Sequence, residues 1–216
     1  MVCSLLLGHR GARASREIPE NTLASFELCL EHGCDGFEFD VRQSSDGEAV
    51  VCHDPAFRAM EIAETSGVGL KLPTLREVLH EFSGRAFLDI ELKVEGMERQ
   101  TIALLREYAP LKGYVVSSFL PHVLNAIHGL DATIALGFIF DEPEQLARWR
   151  ELPVEWVIPK LHLAGRTLVE EIHAAARKAM VWTVNTHDQL LEVSEWGADA
   201  VISDETEAAA KTFGRG

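Results

Sequence analysis

The chain has 216 residues, of which 47% are hydrophobic and 25% charged, and its formal net charge is −14. This balance describes an ordinary packed domain and excludes the disordered and membrane-spanning classes, so a single domain over 1–216 is expected. The acidity argues against nucleic acid or stable association with an anionic membrane, because both are bound through clustered Lys and Arg. Cys3, Cys29, Cys34 and Cys52 form no CxxC pair and read as buried thiols of a reducing compartment. The opening MVCSLLLGHR lacks a basic leader, and no run of about 18 apolar residues follows, which together predict a cytoplasmic protein.

Taken in order, the apolar run up to Leu7 and Gly8 predicts a buried strand over 4–9 that delivers His9 and Arg10 from its end. Pro19-Glu20-Asn21-Thr22 then precedes Leu23, Phe26 and Leu30 at helical spacing, predicting a helix over 22–32 with Asn21 or Thr22 as its N-cap and Gly33 as its stop. A strand over 36–41 follows. It places Glu38 and Asp40 on one face, because residues two apart in a strand point the same way. The Asp46-Gly47 turn brings the chain back through 49–53 to His53. Between Asp40 and His53 there is room only for a hairpin, so this arm is expected to be antiparallel.

Six further strands are predicted at 86–92, 114–118, 133–139, 154–159, 180–184 and 199–203. The intervening helices are 74–82, 97–107, 121–128, 143–150, 166–178 and 187–195, with a terminal helix at 205–213. Leaving out the antiparallel arm, this gives eight β/α units and predicts an α/β fold, a (β/α)8 TIM barrel with few insertions. A doubly wound open sheet is the competing architecture, but neither GxGxxG nor GxxxxGK[ST] follows any strand.

In such a barrel the chemistry comes from the C-terminal strand ends. The polar residues there are His9 and Arg10, then Glu38 and Asp40 with His53 on the arm beyond, then Asp89, Glu91 and Lys93, then Ser117 and Ser118. Lys160 and His162, Trp182 and Asn185, and Asp204 complete the set. Glu38, Asp40 and Glu91 offer hard oxygen donors that suit Mg²⁺ or Ca²⁺ better than zinc. Arg10 and Lys93 would neutralise an anionic phosphoryl group, supplying the local positive field that the acidic chain otherwise lacks. His9 and His53, with an ordinary pKa near 6.5, can exchange protons as base and acid. Two histidines beside one phosphoryl centre point to phosphodiester cleavage. The plainer reading makes Glu91 and Lys93 a simple strand ion pair and Asp89 a core acid satisfied by backbone.

The set His9-Arg10-Gly11, Pro19-Glu20-Asn21-Thr22, Glu38-Phe39-Asp40-Val41, Asp46-Gly47, Val51-Cys52-His53-Asp54, Glu91-Leu92-Lys93, Ser117-Ser118-Phe119 and Trp182-Thr183-Val184-Asn185 resembles the glycerophosphodiester phosphodiesterases. The resemblance runs from residue 8 to about residue 204. It implies a (β/α)8 barrel that hydrolyses glycerophosphodiesters to sn-glycerol 3-phosphate and an alcohol with a divalent metal. By the same resemblance, the catalytic histidines fall on His9 and His53, the metal carboxylates on Glu38, Asp40 and Glu91, and the phosphate-binding cations on Arg10 and Lys93. Phe119 and Trp182 match pocket-lining aromatics, Glu20 matches a supporting acid from the first loop, and Lys160 is a further pocket candidate. The interval between His53 and the third barrel strand is short, so little or no capping insertion is expected. Two alternatives stay open: a lysophospholipid-cleaving phosphodiesterase and a silent barrel that binds glycerophosphodiesters.

Overall fold

The computed structural model describes residues 5–215. In chain order its elements are β1 (Leu5–His9), α1 (Leu23–Glu31), β2 (Gly36–Gln43), β3 (Ala49–Val51), β4 (Ala56–Phe57), β5 (Met60–Glu61), α2 (Gly67–Leu70), α3 (Leu75–Phe82), β6 (Phe87–Leu92), α4 (Glu98–Glu107), β7 (Tyr114–Ser118), α5 (Pro121–Leu130), β8 (Leu136–Phe140), β9 (Trp156–Pro159), α6 (Arg166–Ala174), β10 (Lys178–Val181), α7 (His187–Glu195), β11 (Ala200–Ser203) and α8 (Thr206–Thr212). Strands β1, β2, β6, β7, β8, β9, β10 and β11 pair in that order, all parallel, and β11 returns to β1 with Leu5 opposite Ala200 and Gly8 opposite Ser203. The (β/α)8 barrel that the alternation predicts is therefore closed.

Alternation within β2 shows how the sequence builds both the wall and the site. Phe37 and Phe39 point outward, where Phe26 of α1 stacks on Phe37 at 4.2 Å and Phe82 of α3 meets it edge-on at 5.2 Å. Each fully buried phenylalanine contributes roughly 1.5–3 kcal/mol of burial free energy. That packing holds the register, and a slip of one residue would turn Glu38 and Asp40 outward to the helices. The barrel interior is filled by a second cluster that includes Val115, Ile139, Trp156, Ile158, Met180 and Ile202. Its apolar layers close the barrel below the mouth.

The hairpin arm forms as expected, with Val51 opposite Val41 and Ala49 opposite Gln43 in antiparallel register. Its turn is held by Gly47 at φ 84°, whose N–H donates to Ser44 O at 3.0 Å, and by the Ser44 hydroxyl, which donates to Asp46 Oδ1 at 2.5 Å. Beyond it, 56–70 carries the two-residue ladder β4/β5, a 3-10 turn at Ile62–Glu64 and the single-turn α2, which pack with Val50 and Cys52 as a small separate cluster. No larger cap is present among the described residues.

Some boundaries depart from the sequence reading. The helix expected over 143–150 is two 3-10 turns, Pro143–Gln145 and Arg148–Glu151. Arg177 donates to the carbonyl of buried Trp149, and the tighter turns seat that indole in the core. The helix expected to reach 178 stops at Ala174, because Ala176 takes a left-handed φ of 55° and closes the helix where no glycine signals it. Its following strand accordingly begins at Lys178 and ends at Val181, and the strand expected over 133–139 lies at Leu136–Phe140. Cys29, Cys34 and Cys52 are buried free thiols, while Cys3 and the first residue of the strand expected at 4–9 lie outside the described residues. Among the described residues no helix is long and apolar enough to cross a membrane.

Candidate active site

β2 and β6 lie side by side with Glu38 opposite Asp89 and Asp40 opposite Glu91, so two inward-facing acids from each strand are stacked in two layers. Glu38, Asp40 and Glu91 offer ligand atoms that all lie within 4.8 Å of one another. All three side chains are buried, Asp40 to 1% exposure. Such crowding must be offset by cations, and two are present. Lys93, just past the end of β6, places Nζ 2.7 Å from Glu91 Oε1 and 3.3 Å from Asp40 Oδ1. Arg10 leaves β1 in a left-handed conformation, φ 55°, which aims its backbone N–H at Glu38 Oε2 (2.9 Å) while its guanidinium Nε lies 3.2 Å from Asp40 Oδ2.

Burial, followed by the charge of Asp40, pushes Glu38 well above the usual carboxylate range, and the same two causes raise Glu91 to about 7. Burial also works to raise Asp40, but Lys93 and Arg10 outweigh it and hold that carboxyl below its ordinary value. One layer deeper, Asp89 is raised to about 7 by burial and accepts a hydrogen bond from the Ser117 hydroxyl at 2.5 Å. Glu38 Oε1, Asp40 Oδ1 and Glu91 Oε1 are nevertheless buried without an aligned hydrogen bond. Lys93 forms ion pairs with the Glu91 and Asp40 oxygens and leaves Glu38 Oε1 without a partner among the described residues, and three buried carboxylates this close with so few hydrogen bonds fit a hard divalent cation. Mg²⁺ and Ca²⁺ both match this all-oxygen donor set.

The two histidines line the same mouth in different settings. His9, 7% exposed, donates Nδ1–H to Asp204 Oδ1 at 2.7 Å, leaving Nε2 3.9 Å from Glu38 Oε2. Asp204 also accepts from Arg13 Nη1 (2.9 Å) and from Asn185 Nδ2 (2.8 Å), and these partners with His9 outweigh its burial and hold it well below the usual carboxylate range. Burial lowers the His9 pKa, and the Asp204 contacts only partly offset that. His53 follows β3, with its side chain 35% exposed, and donates Nδ1–H to the exposed Asp54 at 2.8 Å. Its carbonyl accepts from Arg42 Nε at 2.8 Å, which ties the arm back to β2.

A cavity of ≈ 190 Å³ opens between these groups, and its wall includes His9, Arg10, His53, Lys93, Phe119 and Trp182. Phe119 and Trp182 meet edge-to-face at 5.7 Å. Glu20 stands behind the cavity, accepting from Arg10 Nη1 and Arg13 Nε at 2.8 Å each. Lys160 does not line this cavity; it stands behind Trp182, with its Nζ 5.3 Å from that ring's centroid. Four residues near the site were given no catalytic, metal or substrate role in the sequence reading, which took Asn21 only as a candidate N-cap and Asp204 only as a polar strand-end residue. Asn21 donates Nδ2–H to Asp40 Oδ2 at 2.8 Å, Arg13 and Asp204 build the network behind His9, and Asp141 lines the cavity wall. For Asp204 the signal was its position at the end of the last strand. Asn21 stood within the helix-start motif, and its left-handed φ of 56° turns it away from capping, which leaves Thr22 to accept from Ser25 N–H.

A closed parallel barrel with acids, cations and histidines gathered at its C-terminal mouth defines an enzyme of the (β/α)8 class. The chain belongs to the glycerophosphoryl diester phosphodiesterase family, whose model matches residues 9–83 and 63–208. It is 27% identical to a glycerophosphodiester phosphodiesterase of Caldanaerobacter subterraneus subsp. tengcongensis over 94% of this chain and 95% of that protein. Among solved structures, a phosphodiesterase of Oleispira antarctica in complex with the product sn-glycerol-3-phosphate superposes with a TM-score of 0.85 at 27% identity, covering 98% of this chain and 97% of that one. A glycerophosphodiester phosphodiesterase of Thermotoga maritima shares the fold, with a TM-score of 0.84 at 24% identity over 96% of this chain and 97% of that one.

Proposed function

We propose that this chain hydrolyses glycerophosphodiesters to sn-glycerol 3-phosphate and an alcohol, working as a single domain with a divalent cation, Mg²⁺ or Ca²⁺. The observation that carries this reading is the trio of buried carboxylates whose ligand atoms lie within 4.8 Å of one another, with Arg10 and Lys93 beside them and two histidines in the wall of the same mouth. Family membership and the product bound by the Oleispira antarctica relative support the substrate class. The cavity is smaller than the pockets of ~300–1,000 Å³ that hold drug-sized ligands, which favours a compact polyol phosphate over an acylated lysophospholipid.

Glu38, Asp40 and Glu91 would hold the cation, which when bound supplies Lewis-acid polarisation of a phosphoryl oxygen. Arg10 and Lys93 contact the remaining phosphate oxygens by charge-assisted hydrogen bonds. His9 is the base: burial keeps it neutral, Asp204 fixes the proton on Nδ1, and the free Nε2 faces the cluster and accepts the proton of the attacking hydroxyl. His53, on the more exposed arm, gives a proton to the departing alkoxide. The attacking hydroxyl belongs either to the glycerol carbon next to the ester or to water, and phosphorus NMR separates the two by the presence or absence of a cyclic phosphate. The reading is tested by release of glycerol 3-phosphate from glycerophosphocholine and glycerophosphoethanolamine, with and without EDTA. Turnover that EDTA stops and Mg²⁺ or Ca²⁺ restores is expected; no turnover with any divalent ion, or full activity in His9→Ala, overturns it.

A further inference from the structure

The loop between β1 and α1 holds a buried amide that no step of the proposed chemistry uses. Asn21 is 5% exposed and meets β2 where β1 has run out. β1 is paired with β2 only as far as His9 opposite Glu38, so Asp40, two residues further on, finds no partner in β1. Asn21 takes that place. Its Oδ1 accepts from the Asp40 backbone N–H at 3.3 Å, and its Nδ2 donates to Asp40 Oδ2 at 2.8 Å. A carboxylate only accepts and a backbone N–H only donates, so the two bonds fix which way round the amide lies.

The backbone of Asn21 is engaged as well. Its N–H donates to the Arg10 carbonyl at 3.0 Å, and the Ser25 hydroxyl donates to the same oxygen at 3.2 Å. The left-handed φ of 56° lets one residue reach Arg10 with its backbone and Asp40 with its side chain, and asparagine enters that region more readily than most residues. The two Asp40 oxygens are thereby sorted. Oδ2 is held by Asn21 and lies 3.2 Å from Arg10 Nε, whereas Oδ1 has only Lys93 Nζ, at 3.3 Å, among the described residues. Resting on the proposed cation site, we infer that Asn21 is a positioning residue that clamps Asp40 by backbone and carboxylate together, so that Asp40 offers the cation Oδ1 alone. Without the amide, binding a cation must also order the carboxylate, which weakens the site.

The test is calorimetric titration of Mg²⁺ and Ca²⁺ into the metal-free full chain and into its Asn21→Gly and Asn21→Ala variants, with melting temperatures taken in EDTA. Both variants lack the amide, but glycine accepts the left-handed backbone and alanine does so only with strain. Each is expected to weaken binding of the ion that the wild type takes by about tenfold, the low end for loss of a residue that orients a metal ligand. Asn21→Ala should melt below Asn21→Gly, while their affinities agree within about twofold, so that affinity follows the amide and stability the backbone. Wild-type affinity in either variant overturns the inference. So does an affinity loss much larger in Asn21→Ala than in Asn21→Gly, because binding would then follow strain. In Asp40→Ala, which lacks the clamped carboxylate, adding Asn21→Gly should change affinity by less than about twofold; a further tenfold loss would show that Asn21 acts elsewhere, and the inference falls. A wild type that binds neither ion overturns the cation site on which the inference rests, which separates the two failures.

Discussion

The wall formed by β1 and β11 and the arm formed by β2 and β3 each present a histidine whose Nδ1 is hydrogen-bonded to an aspartate, at 2.7 Å and 2.8 Å. The bonds match, but their surroundings do not. Asp204 is held by Arg13 and Asn185 besides His9, whereas Asp54 is exposed and makes no other side-chain hydrogen bond among the described residues. An imidazole inside a closed network has one orientation and one tautomer, while one on an open arm keeps some freedom. On the proposed reading, the difference suits His9 as a base that must meet its proton in fixed geometry and His53 as an acid that can follow leaving groups of different size.

Mutagenesis can break this contrast. His9→Ala is expected to lower kcat by about 10³–10⁴-fold and His53→Ala by about 10²–10³-fold, within the range for general acid–base groups. Equal losses would remove the asymmetry. Asp204→Ala should cost about 10–100-fold by freeing the His9 ring, as loss of an orienting partner generally does. Asp54→Ala should cost less than about fivefold, because an exposed ion pair contributes only ~0–1 kcal/mol; an effect as large as that of Asp204→Ala would show the arm to be as rigid as the wall. Two residues inserted at the Asp46-Gly47 turn should lower turnover more than metal affinity measured by calorimetry, since the turn places His53 and none of the three carboxylates.

The smallest effect is on stability, and it probes the carboxylate cluster that both histidines flank. Burial and Asp40 raise Glu91 from 4.5 to about 7, so folding favours its protonated form. Its contribution is complete below pH 4.5 and is lost as pH rises through about 7. In EDTA, the melting temperature of the wild type should therefore fall relative to that of Glu91→Gln between pH 5 and pH 8. A difference that is constant across this range would mean that Glu91 titrates normally.

The barrel was legible because its two periodicities are clean. Phe37 and Phe39 alternate with Glu38 and Asp40 in a strand, and Val78, Leu79 and Phe82 recur at helical spacing in α3. The site was legible in part for the same reason, since strand alternation put Glu38, Asp40, Asp89 and Glu91 on inward faces. What could not be read depends on contacts remote in sequence. Asp204 meets His9 from 195 residues away, and Asp141 gains its place only when β8 is set opposite β1. The helix expected over 143–150 failed because its apolar pattern says nothing of Arg177, which takes the Trp149 carbonyl. Ala176 and Arg10 adopt left-handed backbone without being glycine, so no local signal marks either turn.

The charge arrangement at the mouth bears on how turnover proceeds from one cycle to the next. On the proposed reading, with Glu38, Asp40 and Glu91 ionised around a divalent ion and Arg10 and Lys93 beside them, the site would carry a single net positive charge, whereas the chain as a whole carries −14. A phosphodiester brings one negative charge and is neutralised on arrival. The phosphomonoester left after cleavage approaches two negative charges near neutral pH, and it faces an acidic exterior that repels the dianion more strongly than the monoanion. The same field that slows capture of substrate therefore hastens the departure of product, and raising the ionic strength should speed the first and weaken the second.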